Sequence, residues 1–325
     1  MPRPARRPIA AVIASGLAIL LTSCDIGEIT EVDGAAWGSA TPASWDAALA
    51  APVPLKVTAY VTGEVLAGPG ILIDADKEGV PAVYGDNIWV PALSYLVEHP
   101  SGRTLLMDAG LRAGECAYRV ILLIEIGCRN QPGQDAVSQL ARDGVDRLDY
   151  LLVSHFHGDH VSGLAGVLAA YDPVVLTTRN EIEGIRSPLR EIAGYKRDQL
   201  TGDMRVEPAD TAFLDMPPVG PAADLFGDGS VWLVSTPGHT AGHLSALLNV
   251  PGGPLLLTFD ASHLAATFEY EAPGGLWHDP ETGAVSIRNL KAFAAGTPAT
   301  RVIFGHEPAQ WAGKGLRVAL AGEGS

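Results

Sequence analysis

Four residues of metal-ligating type, His155, His157, Asp159 and His160, fall within six positions of a 325-residue chain, in the segment DYLLVSHFHGDHVSGLAG over 149–166. His155 and His157 alternate by two, so in extended backbone they project to the same side and can hold one metal ion. Asp159 and His160 are adjacent, so a turn must aim both at a second ion beside the first. Imidazole and carboxylate together suit zinc; manganese, iron or cobalt would also be accepted. A solvated histidine-rich loop is the bland alternative, and the density of ligands speaks against it.

The elements that must position these residues can be read from the flanking pattern. The run from Tyr150 to Val153 is short, apolar and bounded by small polar residues, which predicts a buried strand. VSGLAGVLAAY after the ligands reads as a helix. The cluster therefore sits where a strand hands over to a helix, at the strand's carboxyl end, where open α/β sheets commonly bind ligands. The arrangement recurs: His239 follows VWLVSTPG, Asp260 follows LLLTF, and His306 follows RVIFG. Seven candidate ligands at four strand ends can converge at one sheet edge. That number fits two metals sharing a bridging carboxylate and a bridging hydroxide.

Along the rest of the chain, LKVTAYVTGEVL alternates as a strand and a Gly/Pro-rich excursion over 68–91 follows. ALSYLVEHPSGRTLLMDAG reads as a hairpin turning at Pro100–Gly102 and ending at Asp108. An insertion over 112–134 precedes a short helix, DAVSQLARDG, with Asp135 as N-cap and Gly144 as its close. DPVVLTT is a further strand, and 180–228 has weak periodicity and allows no assignment beyond helix and loop over one side of the site. Three strands are expected in 229–263, then a helix over SIRNLKAFAAG and a last strand ending at His306.

The chain ends and the composition bound the function. Arg3, Arg6 and Arg7, the apolar stretch Ile9 to Leu21 and the segment LTSC resemble a bacterial lipoprotein signal over 1–23, with Cys24 lipidated. Residues 24–53, rich in Ala, Gly, Ser, Thr and Pro, read as a flexible tether, with Trp37 and Trp45 as a hint of docking; the domain spans 54–325. The expected location is exported and membrane-tethered, facing the periplasm or cell surface, with membrane contact through Cys24 alone. The formal charge is −15, and removing 1–23 takes away three arginines and no acid, giving −18. No basic face is available for a nucleic acid. Cys116 and Cys128 remain, and an oxidising compartment would let them pair, two buried thiols being the alternative.

The pattern HFHGDH…TPGHTAGH…LTFDASH…FGHEP resembles the metallo-β-lactamase superfamily over nearly all of 54–315. The resemblance implies an α/β fold, the αβ/βα sandwich of two mixed sheets flanked by helices. By carry-over, His155, His157 and His239 would hold one metal, Asp159, His160 and His306 the other, and Asp260 would bridge them. YLVEHPSGRTLLMDAGL, DLFGDGSVWLVSTPGHTAGH and the GHEP ending look most like the N-acyl homoserine lactonase group of quorum-quenching hydrolases. The implied reaction is opening of a lactone or ester by hydroxide held between two divalent ions, most simply zinc. Asp159 is expected to orient the nucleophile or shuttle its proton.

One departure stands out. That group often carries a tyrosine three residues after the bridging Asp, and here the position is His263, expected to assist the leaving group in its place. The departure keeps an aryl ester or organophosphate hydrolase in view on the same site. A β-lactamase is disfavoured by Asp260, a glyoxalase-type thioesterase by the weakly charged AGEGS ending, and a non-catalytic metal-binding lipoprotein by the complete ligand set. His243 is expected to be supporting or structural, His99 solvated at its hairpin, and His278 at the pocket rim. Trp89, Trp277 and Trp311 are candidates for an acyl pocket or the core.

Overall fold

The structure, a computed structural model, describes residues 26–35, 37–39, 41–114, 119–121, 124–190, 194–195, 197–274 and 279–322. The signal segment, Cys24, Cys116 (and with it the cysteine pairing), Trp277 and His278 lie outside the described residues. Ten strands form one sheet: β1 (Ile29–Glu31), β2 (Lys56–Ala67), β3 (Ile88–Glu98), β4 (Thr104–Met107), β5 (Arg119–Ile121), β6 (Ile124–Arg129), β7 (Tyr150–Leu152), β8 (Val174–Thr177), β9 (Met204–Pro208), and, from the far end of the chain, β16 (Arg317–Ala321). Between them in sequence, β10 (Leu214–Met216), β11 (Gly220–Asp224), β12 (Val231–Ser235), β13 (Leu244–Leu248), β14 (Leu255–Phe259) and β15 (Arg301–Phe304) form the second. The first sheet runs β1-β9-β8-β7-β4-β3-β2-β6-β5 with β16 on β2, the second β10 through β15 in order. Both are mixed: β4, β7, β8 and β9 pair parallel in the first, β14 and β15 in the second, and hairpin-linked strands antiparallel.

The sheets pack through a shared apolar layer. Leu105, Met107, Leu152 and Leu176 from the first meet Leu233, Ala246, Leu248, Leu255 and Leu257 from the second, all buried. Both faces of the central strands are covered, which is why β7 and β14 are continuous apolar runs rather than alternations. The opposite face of the first sheet packs on the helices Ala136–Arg142 and Leu164–Tyr171 through Leu140, Leu151, Val153, Leu164 and Val167. The opposite face of the second packs on the 17-residue helix Pro280–Gly296 through Leu290 and Phe293. That helix starts well before SIRNLKAFAAG because Asp279 caps it, accepting from Thr282 N, with Pro280 in its first turn.

The described residues of 26–53 do not form a free tether. β1 adds to β9 in parallel, and the next residues converge on buried Glu207, whose carboxylate accepts from Gly34 N, Ala35 N and Trp37 Nε1 at 2.5–2.6 Å. Trp45 then inserts between Trp232 and Phe293, 5.2 Å from each ring centroid, and donates Nε1 to Met216 O. A three-residue strand is too short to show a period, so the only sequence trace of this docking was the pair of tryptophans. Trp45→Ala is expected to cost about 3–5 kcal/mol, the range for emptying a large aromatic site, read as a lowered urea midpoint with unchanged slope.

Other expectations need correction. The segment 180–228 contains the helix Arg179–Arg186 and strands β9 to β11, and the insertion over 112–134 supplies β5 and β6, extending the first sheet beyond β2. β15 is not the last strand, since β16 returns to pair with β2. These strands are three to six residues long and gain their partners from distant sequence.

Candidate metal centre

The ligand-bearing turns come from both sheets, not from one sheet edge. β7 ends in the first sheet, where Ser154 is pinned: its N–H and hydroxyl both donate to the Asp108 carboxylate at 2.8 Å. The chain then passes His155 and His157 and enters a one-turn helix, Gly158–Val161, so Asp159 and His160 are helical and the helix begins inside the motif rather than after it. In the second sheet, the turn after β12 carries His239. Gly238 makes that turn possible, with φ of 133° and a neighbour, Gly283 Cα, 2.3 Å from where a Cβ would stand. β14 ends in a bulge at Leu257/Phe259, and Phe259 takes φ of 44°. A bulky side chain in the left-handed region marks stored strain, and here it swings Asp260 out of the strand. His306 follows β15, its backbone N–H bonded to His263 O at 2.8 Å.

These turns bring all seven expected ligands together. His239 Nε2 lies 2.8 Å from His157 Nδ1 and 3.0 Å from His155 Nε2. Nitrogens about 2.0–2.1 Å from a tetrahedral zinc would be ~3.3 Å apart, so the triad is close to the geometry that one ion demands. Asp159, His160 and His306 form a second group, with His306 Nε2 3.3 Å and His160 Nε2 3.8 Å from Asp159 Oδ2. Asp260 stands between: Oδ2 is 3.3 Å from His239 and 3.6 Å from His155, while Oδ1 is 3.0 Å from His306 and 3.2 Å from His160. One carboxylate thus presents one oxygen to each group.

The chemistry of the donors fits cations. His160 Nε2 is buried, close to two carboxylate oxygens, and makes no hydrogen bond. Burial opposes protonation of His160, yet the carboxylates of Asp260, Asp159 and Asp108 outweigh it and hold the imidazole well above its usual range. His306 is raised likewise, by Asp260 and Asp159 against burial. For Asp260, burial favours the neutral acid, but the surrounding imidazoles hold it well below the usual carboxylate range. His155, by contrast, is kept neutral by burial and by its neighbours His160 and His157. A neutral lone pair at the first group and a demand for positive charge at the second are what two divalent ions would meet.

Outer contacts select which nitrogen of each ring is offered. His160 Nδ1 is 2.7 Å from Asp108 Oδ2 and His306 Nδ1 is 2.8 Å from Pro91 O, so both donate from Nδ1 and turn Nε2 inward. His243, expected to be supporting, accepts from Asp260 N at Nε2 and holds Thr236 Oγ1 at Nδ1; burial pushes its pKa down to about 3, keeping it a neutral acceptor. Asp108, behind His160 and Ser154, appears in the sequence only as a strand end. A lone acid closing an apolar strand, before Ala109 and Gly110, was its available signal. Asp108→Asn is expected to weaken metal binding by about 10–100-fold, since Ser154 N and His160 Nδ1 donate to different oxygens and the amide keeps only one; chelator competition on the purified protein measures it.

His263 is buried at 2% exposure, its Nε2 3.3 Å from Asp260 Oδ2 and its ring stacked 5.7 Å from His306. It therefore stands at the cluster, on the side of His239. His99 is not solvated: it is buried, with Nε2 2.8 Å from Asp228 Oδ2 and Nδ1 2.7 Å from Ser101 Oγ. Trp311 packs in the core beside Tyr95, and Trp89 stacks under the Arg129 guanidinium at 4.1 Å.

A profile of the metallo-beta-lactamase superfamily matches residues 87–306. The N-acyl homoserine lactonase AttM of Azorhizobium caulinodans is 28% identical over 243 residues, covering 70% of this chain and 86% of that protein. Its counterpart from Agrobacterium fabrum is 28% identical over 242 residues with the same coverage. Among solved structures, a variant of B. thuringiensis AiiA with N-decanoyl-L-homoserine bound at its active site superposes with a TM-score of 0.63 at 24% identity, covering 80% of this chain and 96% of that one. Two mixed sheets that end their strands in this set of histidines and aspartates, under a profile spanning most of the domain, place the chain in the metallo-beta-lactamase superfamily.

Proposed function

We propose that the protein is a two-metal hydrolase that opens lactones, with N-acyl homoserine lactones as the substrate class. The observation carrying the reaction type is Asp260, one oxygen facing His155 and His239 and the other facing His160 and His306. The lactone is supported by the curated names of the relatives. Two divalent ions, zinc being the simplest choice, would polarise a carbonyl and acidify a water near neutral pH. His155, His157 and His239 would hold one and Asp159, His160 and His306 the other, with Asp260 shared.

The chain's own residues supply the rest. Within its own group Asp159 has the most open side chain, 20% exposed against 5% for His160 and 3% for His306, and its carboxylate would orient the attacking water and take its proton. His263 offers an imidazole beside Asp260 as donor to the departing alkoxide oxygen. Burial of the surrounding histidines keeps bulk water from competing for these groups. The test is proton release from N-acyl homoserine lactones by the purified protein, with and without a chelator; turnover that survives complete metal removal would sink the proposal. An aryl ester or organophosphate hydrolase is the second reading, favoured by an imidazole at position 263, and phosphotriester turnover exceeding lactone turnover would select it.

We also propose that the protein is exported and held at a membrane through lipidated Cys24, facing the periplasm or cell surface, on the strength of the basic, apolar and LTSC segments of 1–24. Among the described residues no helix is long and apolar enough to cross a membrane. Cys24→Ala should shift the protein from the membrane fraction to the soluble fraction.

A further inference from the structure

We propose that Glu181 is the positioning residue of the first metal group, setting the distance between the turn that carries His155 and His157 and the turn that carries His239. The inference rests on reading those three histidines as one metal site.

The two turns leave different sheets, so no single strand register fixes their separation. Glu181 lies between them with no solvent exposure, in the first turn of the helix Arg179–Arg186. Its Oε2 accepts from Phe156 N at 3.2 Å, the amide between His155 and His157. Its Oε1 accepts from Gly242 N at 3.2 Å and from the hydroxyl of Thr240, the residue after His239. The same helix start grips the second turn twice more, through Thr178 Oγ1 to Gly242 O at 2.9 Å and Asn180 Nδ2 to Ala241 O at 3.2 Å. The approach is close enough to require glycine: a Cβ on Gly242 would stand 2.1 Å from Thr178 Oγ1 and 2.7 Å from Glu181 N.

A buried carboxylate is costly, and burial pushes that of Glu181 up to about 7 against the hydrogen bonds it receives. An apolar side chain of similar size would avoid that cost but would leave Phe156 N and Gly242 N without their acceptor. What the carboxylate supplies is two oxygens at a fixed spacing, one for each turn. The second group has anchors that do not involve Glu181, Asp108 on His160 and Pro91 O on His306, although Asp108 also holds Ser154 beside His155. Loosening Glu181 therefore moves one group and leaves the other in place. Metal–ligand distances lie within about 0.2 Å of their usual values, so a small change in the gap between the turns would weaken an ion held by His155, His157 and His239.

The experiment compares full-length protein with Glu181→Ala, Glu181→Gln, Thr240→Val and Asp108→Asn, each loaded with zinc or cobalt alone. Competition with a chromophoric chelator reads the affinity of each metal equivalent, and the visible cobalt spectrum reads its coordination. Glu181→Ala is expected to weaken one equivalent by tenfold or more, as other changes behind a ligand do, and to leave the second within threefold. Glu181→Gln should fall between it and the parent, because one oxygen remains. Asp108→Asn, which loosens Ser154 beside His155 as well as His160, should by contrast weaken both equivalents. A folded Glu181→Ala that binds both equivalents within threefold of the parent overturns the assignment. If that variant does not fold, Glu181→Gln and Thr240→Val decide, and equal weakening of both equivalents, or of neither, overturns it. A parent that binds no metal fails separately, by removing the metal group itself.

Discussion

Asp260→Asn is expected to lose at least one of two bound metals and to reduce turnover well beyond the ~10–100-fold typical of a change behind the ligands. The side chain keeps its size, and its backbone N–H keeps the bond to His243 Nε2, so the fold has little reason to change. What changes is charge and donor type. Asp260 Oδ1 faces His306 and His160, and Oδ2 faces His239, His155 and His263, all within 3.0–3.6 Å. Whichever way the amide turns, an NH₂ group replaces an acceptor on one side, and that group of ligands also loses its share of the negative charge. Metal content by elemental analysis and turnover at matched metal occupancy test this together. Near-normal turnover with two metals bound would remove Asp260 from the bridging role.

His263→Phe carries the second large effect. Phenylalanine fills the buried position and preserves stacking on His306, but it cannot donate a proton. Turnover is expected to fall by about 10²–10⁴, the range for a general acid, with both metals retained. The two readouts separate three roles. Loss of turnover with full metal content supports leaving-group assistance. Loss of metal would make His263 a ligand, since His239, Asp260 and His263 themselves form a group with ligand atoms within 4.8 Å. An unchanged rate would make it a packed imidazole.

The seven candidate ligands were legible in the chain because each depends on local pattern: an apolar run long enough to bury, followed within a few residues by a histidine or aspartate. The short helix Ala136–Arg142, the hairpin at 100–102 and the strands flanking His239 and Asp260 were legible for the same reason, since caps, turn residues and continuous apolar runs act within a few residues. Where elements are three to six residues long and stabilised from afar, pattern failed. β1, β5, β6, β9, β10, β11 and β16 carry no such pattern, and 26–53 reads as a tether in sequence although Glu207, some 170 residues away, receives amides of Gly34 and Ala35.

By itself the sequence determined the candidate ligand types, their order along the chain and their placement at strand ends, because covalent spacing and burial of apolar runs are properties of neighbours. Only the tertiary structure decided that the ligands meet across two sheets, that Asp260 turns one oxygen to each group, and that His99 is buried against Asp228. It alone placed Asp108 and Glu181 behind the histidines. These last are unremarkable acids in the chain. Their roles come from which amides and imidazoles the packing of distant strands brings within hydrogen-bonding reach.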